Sequence, residues 1–244
     1  MNLSSAMFRY YRTIYRQSNK WLMPLIGWMI FLYLNYLVMP QEFTSTMLNS
    51  ATFMFLLTAW ASQTFLASLT PVMEQIIVTR LPKKENYWMQ TLVFVTYLGS
   101  LLSLVSVALP IIINLVKNQG LFKRGISLEE IMCALVIHFV FSLIGGLVAM
   151  IIQPRYVFQD PKLSNVCLLI VGLISVVGNT MAEKLPGFHL VLWLFPPLSK
   201  LTAYFLENPA FSFSLVWGQL SVCLIYASVL VIVYRLLRSR FLYD

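Results

Sequence analysis

The chain has 244 residues, of which 59% are hydrophobic and only 11% are charged, and its mean hydropathy is +0.78. About a quarter of the residues of an ordinary soluble domain are charged, so this composition excludes a water-soluble fold and indicates an integral membrane protein. The net charge of +8 does not indicate nucleic-acid binding, because the basic residues flank apolar stretches and form no continuous patch.

The first twenty residues are basic and contain no apolar stretch of their own, so we do not expect them to be a cleavable signal peptide. Three aromatic residues, Phe8, Tyr11 and Tyr15, share one face of a helix at this spacing. The arginines Arg9, Arg12 and Arg16 share the neighbouring face. This pattern predicts an interfacial helix over residues 1–20 that lies along the inner leaflet.

Six apolar stretches approach the roughly 20 residues that a helix needs to cross a hydrocarbon core about 30 Å thick. They run from Trp21 to Met39, Thr52 to Leu69, Thr91 to Leu115, Ile131 to Ile152, Leu163 to Val177 and Phe211 to Leu237, and the fifth is short. The sequence therefore predicts an all-α integral membrane protein with six transmembrane helices in one domain, residues 1–244.

A further apolar stretch, from Leu185 to Leu206, precedes the last span. It is interrupted by Pro186, Gly187, Pro196 and Pro197, so it cannot form one straight membrane-crossing helix. We expect two short helices here, within residues 181–210, that dip into the membrane from the outer face as a re-entrant segment.

The distribution of lysine and arginine predicts the orientation, because positively charged flanks stay in the cytoplasm. With the N-terminus inside, the inner side carries Arg9, Arg12, Arg16, Lys20, Arg80, Lys83, Lys84, Arg155, Lys162, Arg235, Arg238 and Arg240. The outer side carries only Lys117, Lys123, Arg124, Lys184 and Lys200. We therefore predict a multi-pass protein of the cytoplasmic membrane with both termini in the cytoplasm.

The segment between the second and third spans has the signals of a short cytoplasmic helix over Pro71 to Leu81. Thr70 can cap it, Pro71 suits its first position, and Glu74 and Arg80 match the dipole at its two ends. Pro82 would end this helix, Lys83 and Lys84 would lie at headgroup level, and Tyr87 and Trp88 would anchor the next span in the aromatic belt.

Val72, Met73, Ile76 and Ile77 recur at three- and four-residue spacing, which gives this short helix an apolar stripe. Such a helix either lies on the lipid surface or fits a groove on another protein.

With a basic amphipathic N-terminal helix, six spans, the helix containing Glu74 and Arg80, and a broken apolar segment before the last span, the chain resembles a known family. It is similar to the membrane-spanning subunit of ABC transporters of the ABC-2 type, which has the type V exporter fold. The resemblance implies that Pro71 to Leu81 is a coupling helix that docks into a separate ATP-binding subunit. Its contact residues would be Val72, Met73, Glu74, Ile76, Ile77 and Arg80. The Gly-Thr pair common in such helices is absent, since Gln75 to Thr79 contain no glycine.

The sequence contains no Gly-x-x-x-x-Gly-Lys-Ser/Thr phosphate loop, so we expect no ATPase site and no enzyme activity in this chain. ATP and Mg would be bound by the partner subunit. The resemblance also implies a dimer with a second permease chain, either identical or homologous, and export of an amphipathic substrate such as a peptide, a drug or a lipid-like molecule. Membrane lipid is the other expected contact.

Few polar residues lie within the spans. Ser62, Gln63 and Asn179 could line a substrate path, or they could equally bridge helices. We interpret His138 and His189 as buried and hydrogen-bonded to the backbone. The cysteines Cys133, Cys167 and Cys223 lie in apolar runs without metal-ligand spacing, so we expect no metal site.

Three other functions fit the sequence less well. An ion-coupled secondary transporter would normally carry a charged residue at the membrane midplane, and a non-transporting immunity or scaffold protein would bind a partner without moving it. An intramembrane protease would need an arginine four residues after the Glu129-Glu130 pair, where this chain has Ala134.

Overall fold

The computed structural model describes residues 3–81, 85–154, 156, 160–208 and 210–241, and the elements assigned there are helical. The α-helices are α1 (Leu3–Gln17), α2 (Leu22–Asn35), α3 (Phe43–Leu66), α4 (Pro71–Arg80), α5 (Glu85–Val116), α6 (Leu128–Ile151), α7 (Pro161–Lys184), α8 (His189–Leu192), α9 (Leu198–Leu206) and α10 (Phe213–Phe241). A 3-10 turn, Pro186–Phe188, precedes α8. The predicted all-α fold is confirmed. Pro82, Lys83 and Lys84 lie outside the described residues.

Four of these helices are long and apolar enough to cross a membrane: α5, α6, α7 and α10. The pair α3 and α4 adds a fifth candidate, broken by an 80° bend. The helix of the first predicted span, α2, has only 14 residues and is about 21 Å long, which is less than the hydrocarbon core. The structure therefore shows a multi-pass helical membrane protein with four or five candidate spans.

The centre of the bundle is the pair α3 and α6, which pack along their full lengths. Small residues allow this approach. A side chain at Gly145 would collide with the backbone carbonyl of Phe55, and the Thr58 hydroxyl of α3 donates a hydrogen bond of 3.0 Å to the Ser142 carbonyl of α6. Gly145 and Thr58 thus allow the close packing of α3 and α6.

Replacing Gly145 with alanine should destabilise the protein, because the Phe55 carbonyl belongs to a buried helix backbone and cannot move aside. Overpacking of this kind costs about 1–3 kcal/mol, so the thermal midpoint in detergent should fall by at least about 2 °C.

Gly218→Ala in α10 is the matched control, because nothing lies within 4 Å of a methyl group at that position. This control should leave the midpoint unchanged or raise it. Equal midpoints for the two variants would contradict the close contact of α3 and α6.

The N-terminal helix α1 is docked against the bundle. Tyr11 is fully buried and Tyr15 nearly so, and both rings pack edge-on against Phe65 of α3. The Tyr15 hydroxyl donates a hydrogen bond of 3.1 Å to the Ala61 carbonyl. The predicted helix and its two faces are confirmed, but its aromatic face contacts protein, while Arg9, Arg12 and Arg16 remain exposed.

At the opposite end of the bundle, the connections α2–α3 and α5–α6 are joined. The Gln41 N–H donates to the Leu121 carbonyl and the Lys123 N–H donates to the Gln41 carbonyl, both at 2.9 Å.

The buried Glu130 carboxylate pairs with Arg124 and accepts from the Ser127 N–H as part of a capping box. Since Glu129 accepts from the Phe213 N–H at 2.8 Å, both carboxylates of the Glu129-Glu130 pair have structural partners.

The broken apolar segment forms α8 and α9, separated at Pro196 and Pro197 as the sequence predicts. α9 buries Leu198, Leu201 and Phe205 against the bundle. The Tyr226 hydroxyl of α10 donates a 2.8 Å hydrogen bond to the Leu194 carbonyl. His189 lies at the start of α8 and is exposed, so its predicted burial is wrong.

Candidate functional site

The short helix α4 follows α3 after a four-residue turn and runs at 80° to it. The Thr70 side chain caps it, since its hydroxyl oxygen accepts a hydrogen bond of 3.3 Å from the Met73 N–H. Pro71 occupies the first turn and Leu81 follows the last residue. The signals in the sequence therefore set both ends of this helix.

The predicted apolar stripe of α4 is divided between two environments. Ile77 and Val78 pack against the hydrophobic core of the bundle. Val72 and Ile76, one turn apart, point away from the protein with 64% and 49% of their surfaces exposed. The predicted contact residues thus fall into two sets, because a step of one residue turns the side chain by about 100° around the helix. Val72 and Ile76 are the large apolar residues of α4 that present their surface outward.

The inward side of α4 is held by a hydrogen bond to a carboxylate. The hydroxyl of Tyr87, at the start of α5, donates to Glu74 Oε1 at 2.6 Å. Tyr87 is fully buried, so the prediction that it anchors the aromatic belt is wrong. A hydrogen bond to a charged acceptor contributes about 1.5–3 kcal/mol, which is enough to fix the orientation of so short a helix.

A buried arginine lies against the other side of Tyr87. The guanidinium carbon of Arg238, near the end of α10, is 4.0 Å from the centroid of the Tyr87 ring. Arg238 is only 4% exposed, and its Nη1 donates a 2.7 Å hydrogen bond to the Tyr234 hydroxyl. The guanidinium and the aromatic rings form a desolvated cation–π contact. Glu74, Tyr87 and Arg238 therefore connect α4 to the last helix, and we call these three residues the α4–α10 link.

Tyr11 of α1 completes this region. Its ring packs edge-on to Tyr87 with centroids 6.3 Å apart, and its hydroxyl is 3.4 Å from Thr91 Oγ1. Burial raises the pKa of Tyr11 to about 12, so its phenol remains protonated and available as a donor at physiological pH. Four helices, α1, α4, α5 and α10, thus meet at one end of the bundle.

Comparison of the chain with models of protein families, with curated proteins and with solved structures finds no match. Within the described part of the chain, no group of three histidine, cysteine, aspartate or glutamate residues could hold a metal ion. The arrangement presents an outward apolar pair, Val72 and Ile76, on a helix that is tied to the bundle.

The three predicted substrate-path residues do not form one site. Ser62 is buried where α3 meets α6, beside Gly146. Asn179 lies on α7, where its N–H donates to Ser199 Oγ at 3.2 Å. Only Gln63 faces a cavity, a groove of about 500 Å³ between α3 and α7. Its Nε2 donates to Ser164 Oγ at 3.1 Å, so it both bridges helices and lines the groove.

No pattern in the sequence connects Glu74 with Arg238, which are 164 positions apart. Arg238 is one of several basic residues near the end of the last helix, and its burial depends on the tyrosines that several helices bring around it. The tyrosines that meet at this end of the bundle, Tyr11, Tyr87, Tyr156 and Tyr234, are the signal that could have identified this region. Arginine stacks on aromatic faces more readily than lysine does.

Proposed function

We propose that this chain is the membrane-spanning subunit of an ATP-driven exporter of the ABC-2 type, with α4 as its coupling helix. The observation that carries the proposal is the exposure of Val72 and Ile76 on a helix that is otherwise tied to the bundle through Glu74 and Tyr87. Exposed apolar side chains on a rigidly held helix fit a groove on another protein better than they fit water.

The proposal requires six spans, and two features of the structure support that number. After α2 ends, the chain continues with exposed apolar residues Leu37, Val38 and Met39, which add length toward the far side of the bilayer. The helix α3 is 24 residues long, about 36 Å, and most of its surface is covered by other helices. A helix shielded from lipid does not need a strongly apolar surface, which explains the polar residues in α3.

The proposed orientation is supported by the charges at the two ends of the bundle. The end where α1 and α4 lie carries the exposed arginines Arg9, Arg12, Arg16, Arg80 and Arg235. At the other end, Lys123 and Arg124 are paired with glutamates. Lys117, Lys184 and Lys200 are the other basic residues of that end, so the excess of positive charge lies at the α1 and α4 end, which fits the cytoplasmic face.

In this proposal, two permease chains form the translocation path and two ATPase subunits bind ATP and Mg beneath them. Closure of the ATPase subunits would push on Val72 and Ile76, and the α4–α10 link would pass the movement to α5 and α10. The substrate would be amphipathic. An ion-coupled mechanism is less well supported, because the histidine in the middle of α6, His138, is fully buried and its Nδ1 bonds to the Ala134 carbonyl at 2.7 Å.

Purification of the intact complex in a mild detergent tests the proposal. We expect the chain to bring down a second protein with a nucleotide-binding phosphate loop, in equal amounts, and we expect that complex to hydrolyse ATP. The measurement is identification of every bound chain by mass spectrometry, with a tagged, unrelated membrane protein as control. Purification of the chain alone, stable and without an ATPase, would favour the scaffold or the secondary transporter.

A further inference from the structure

The groove between α3 and α7 has a polar end and an apolar body. Among its described lining residues, Lys20 is the only ionisable one, and it lies beside Gln63 and Asn165. The Lys20 ammonium donates a 2.6 Å hydrogen bond to the Ala67 carbonyl, which holds the cation at the polar end of the groove. An ammonium has three N–H donors, so two more can bind a ligand. This end, which we call the mouth, is therefore positively charged, and no carboxylate is among the described lining residues.

The buried amide of Gln63 adds a second polar feature at this end. Gln63 is 7% exposed, and its Nε2 donates hydrogen bonds to Ser164 Oγ and Asn165 Oδ1 of α7. Its Oε1 has no hydrogen-bond partner in the described part of the chain. This oxygen is itself buried, so Gln63 holds α7 beside α3, and the cation of Lys20 is the polar group that a ligand in the groove can reach.

The body of the groove has the length and surface of an acyl-chain site. From Gln63 to Phe55 along α3, and from Asn165 to Leu173 along α7, the walls extend eight residues, about 12 Å. One leaflet of the hydrocarbon core is roughly 15 Å thick. The small residues Ala59 and Gly172 leave space at the bottom of the groove. Leu169 at its edge is 60% exposed, so the groove is open toward lipid.

We propose that this groove binds one anionic phospholipid, with its phosphate at Lys20 and an acyl chain between α3 and α7. The charge of the mouth selects the anionic headgroup, and the exposed arginines of α1 at the same end increase the local concentration of anionic lipid. This site does not depend on an ATPase subunit, so it stands or falls separately from the transport function.

Native mass spectrometry of the detergent-purified full chain tests the proposal, with dioleoyl-phosphatidylglycerol and dioleoyl-phosphatidylcholine as probes. We expect phosphatidylglycerol to bind more tightly by about fivefold or more, the contribution of one lysine near an anionic headgroup. Lys20→Gln should remove this preference. Lys162→Gln makes the same change in net charge at an exposed residue of α7 outside the groove, and it should keep the preference.

A second pair of variants tests the acyl-chain site. Leu169→Trp fills the groove and should lower the retention of both lipids, whereas Ile170→Trp changes the adjacent exposed residue outside the groove and should not. Equal binding of the two lipids to the unchanged protein, or unchanged binding in Lys20→Gln or Leu169→Trp, would overturn the proposal. Disulfide-linked pairs of a Leu169→Cys variant with no bound lipid would also overturn it, because the groove would then be an interface between two copies.

Discussion

Replacing Val72 and Ile76 together with aspartate is expected to abolish ATP-driven transport while the protein still folds and inserts. Both side chains point outward and neither belongs to the hydrophobic core, so their replacement disturbs the packing of the chain little. Burying even one unpaired carboxylate in an interface costs several kcal/mol. Each loss of about 1.4 kcal/mol in binding free energy lowers the affinity tenfold. Affinity for the ATPase subunit should fall at least about 100-fold. Co-purification and ATPase activity in proteoliposomes measure the effect.

The control for this double variant is Thr13→Asp, which adds a negative charge to an exposed position of α1 at the same end of the protein. It should leave complex formation unchanged. Ile77→Asp is a less specific test, because Ile77 packs against the core and its replacement would disturb α4 itself. Normal co-purification of the ATPase subunit with the Val72 and Ile76 double variant would show that the outward face of α4 is not a docking surface, and it would remove the main support for the proposed function.

The ends and type of α4 could be predicted from the sequence because they depend on neighbouring residues. A capping Thr70, Pro71 in the first turn and Arg80 in the last turn act within a few positions of one another. The same holds for α1 and for the break at Pro196 and Pro197. Local signals of this kind are independent of how the helices pack.

The division of the α4 stripe and the burial of Tyr87 and Arg238 could not be predicted in this way. Which face of α4 is covered depends on α5 and α10, which are distant in sequence. Hydropathy also failed to describe α2 and α3. The helix of α2 ends at Asn35 although the apolar run continues to Met39, and α3 carries polar residues that its neighbours cover. Hydropathy reports the lipid-facing surface, so it describes a central helix poorly.

Replacing Arg238 with alanine is expected to lower stability strongly and to loosen α4. The variant removes a desolvated cation–π contact with Tyr87, about 2 kcal/mol, and leaves the buried Tyr234 hydroxyl without the donor that lies 2.7 Å away. The sum is about 3 kcal/mol or more, so the thermal midpoint should fall by roughly 6 °C or more. Arg235→Ala, one turn earlier and exposed, is the matched control and should change the midpoint little.

Hydrogen exchange then distinguishes a link between helices from simple packing. In Tyr87→Phe the ring and its contact with Arg238 remain, but Glu74 loses the hydroxyl that donates at 2.6 Å. The lost hydrogen bond contributes about 1.5–3 kcal/mol, so amide exchange in α4 should rise by roughly tenfold or more. Exchange in α6, which shares none of these contacts, should not change. If α4 exchanged at the same rate in Tyr87→Phe as in the unchanged protein, Glu74 would not hold this helix, and movement of α4 could not reach α10 through Tyr87 and Arg238.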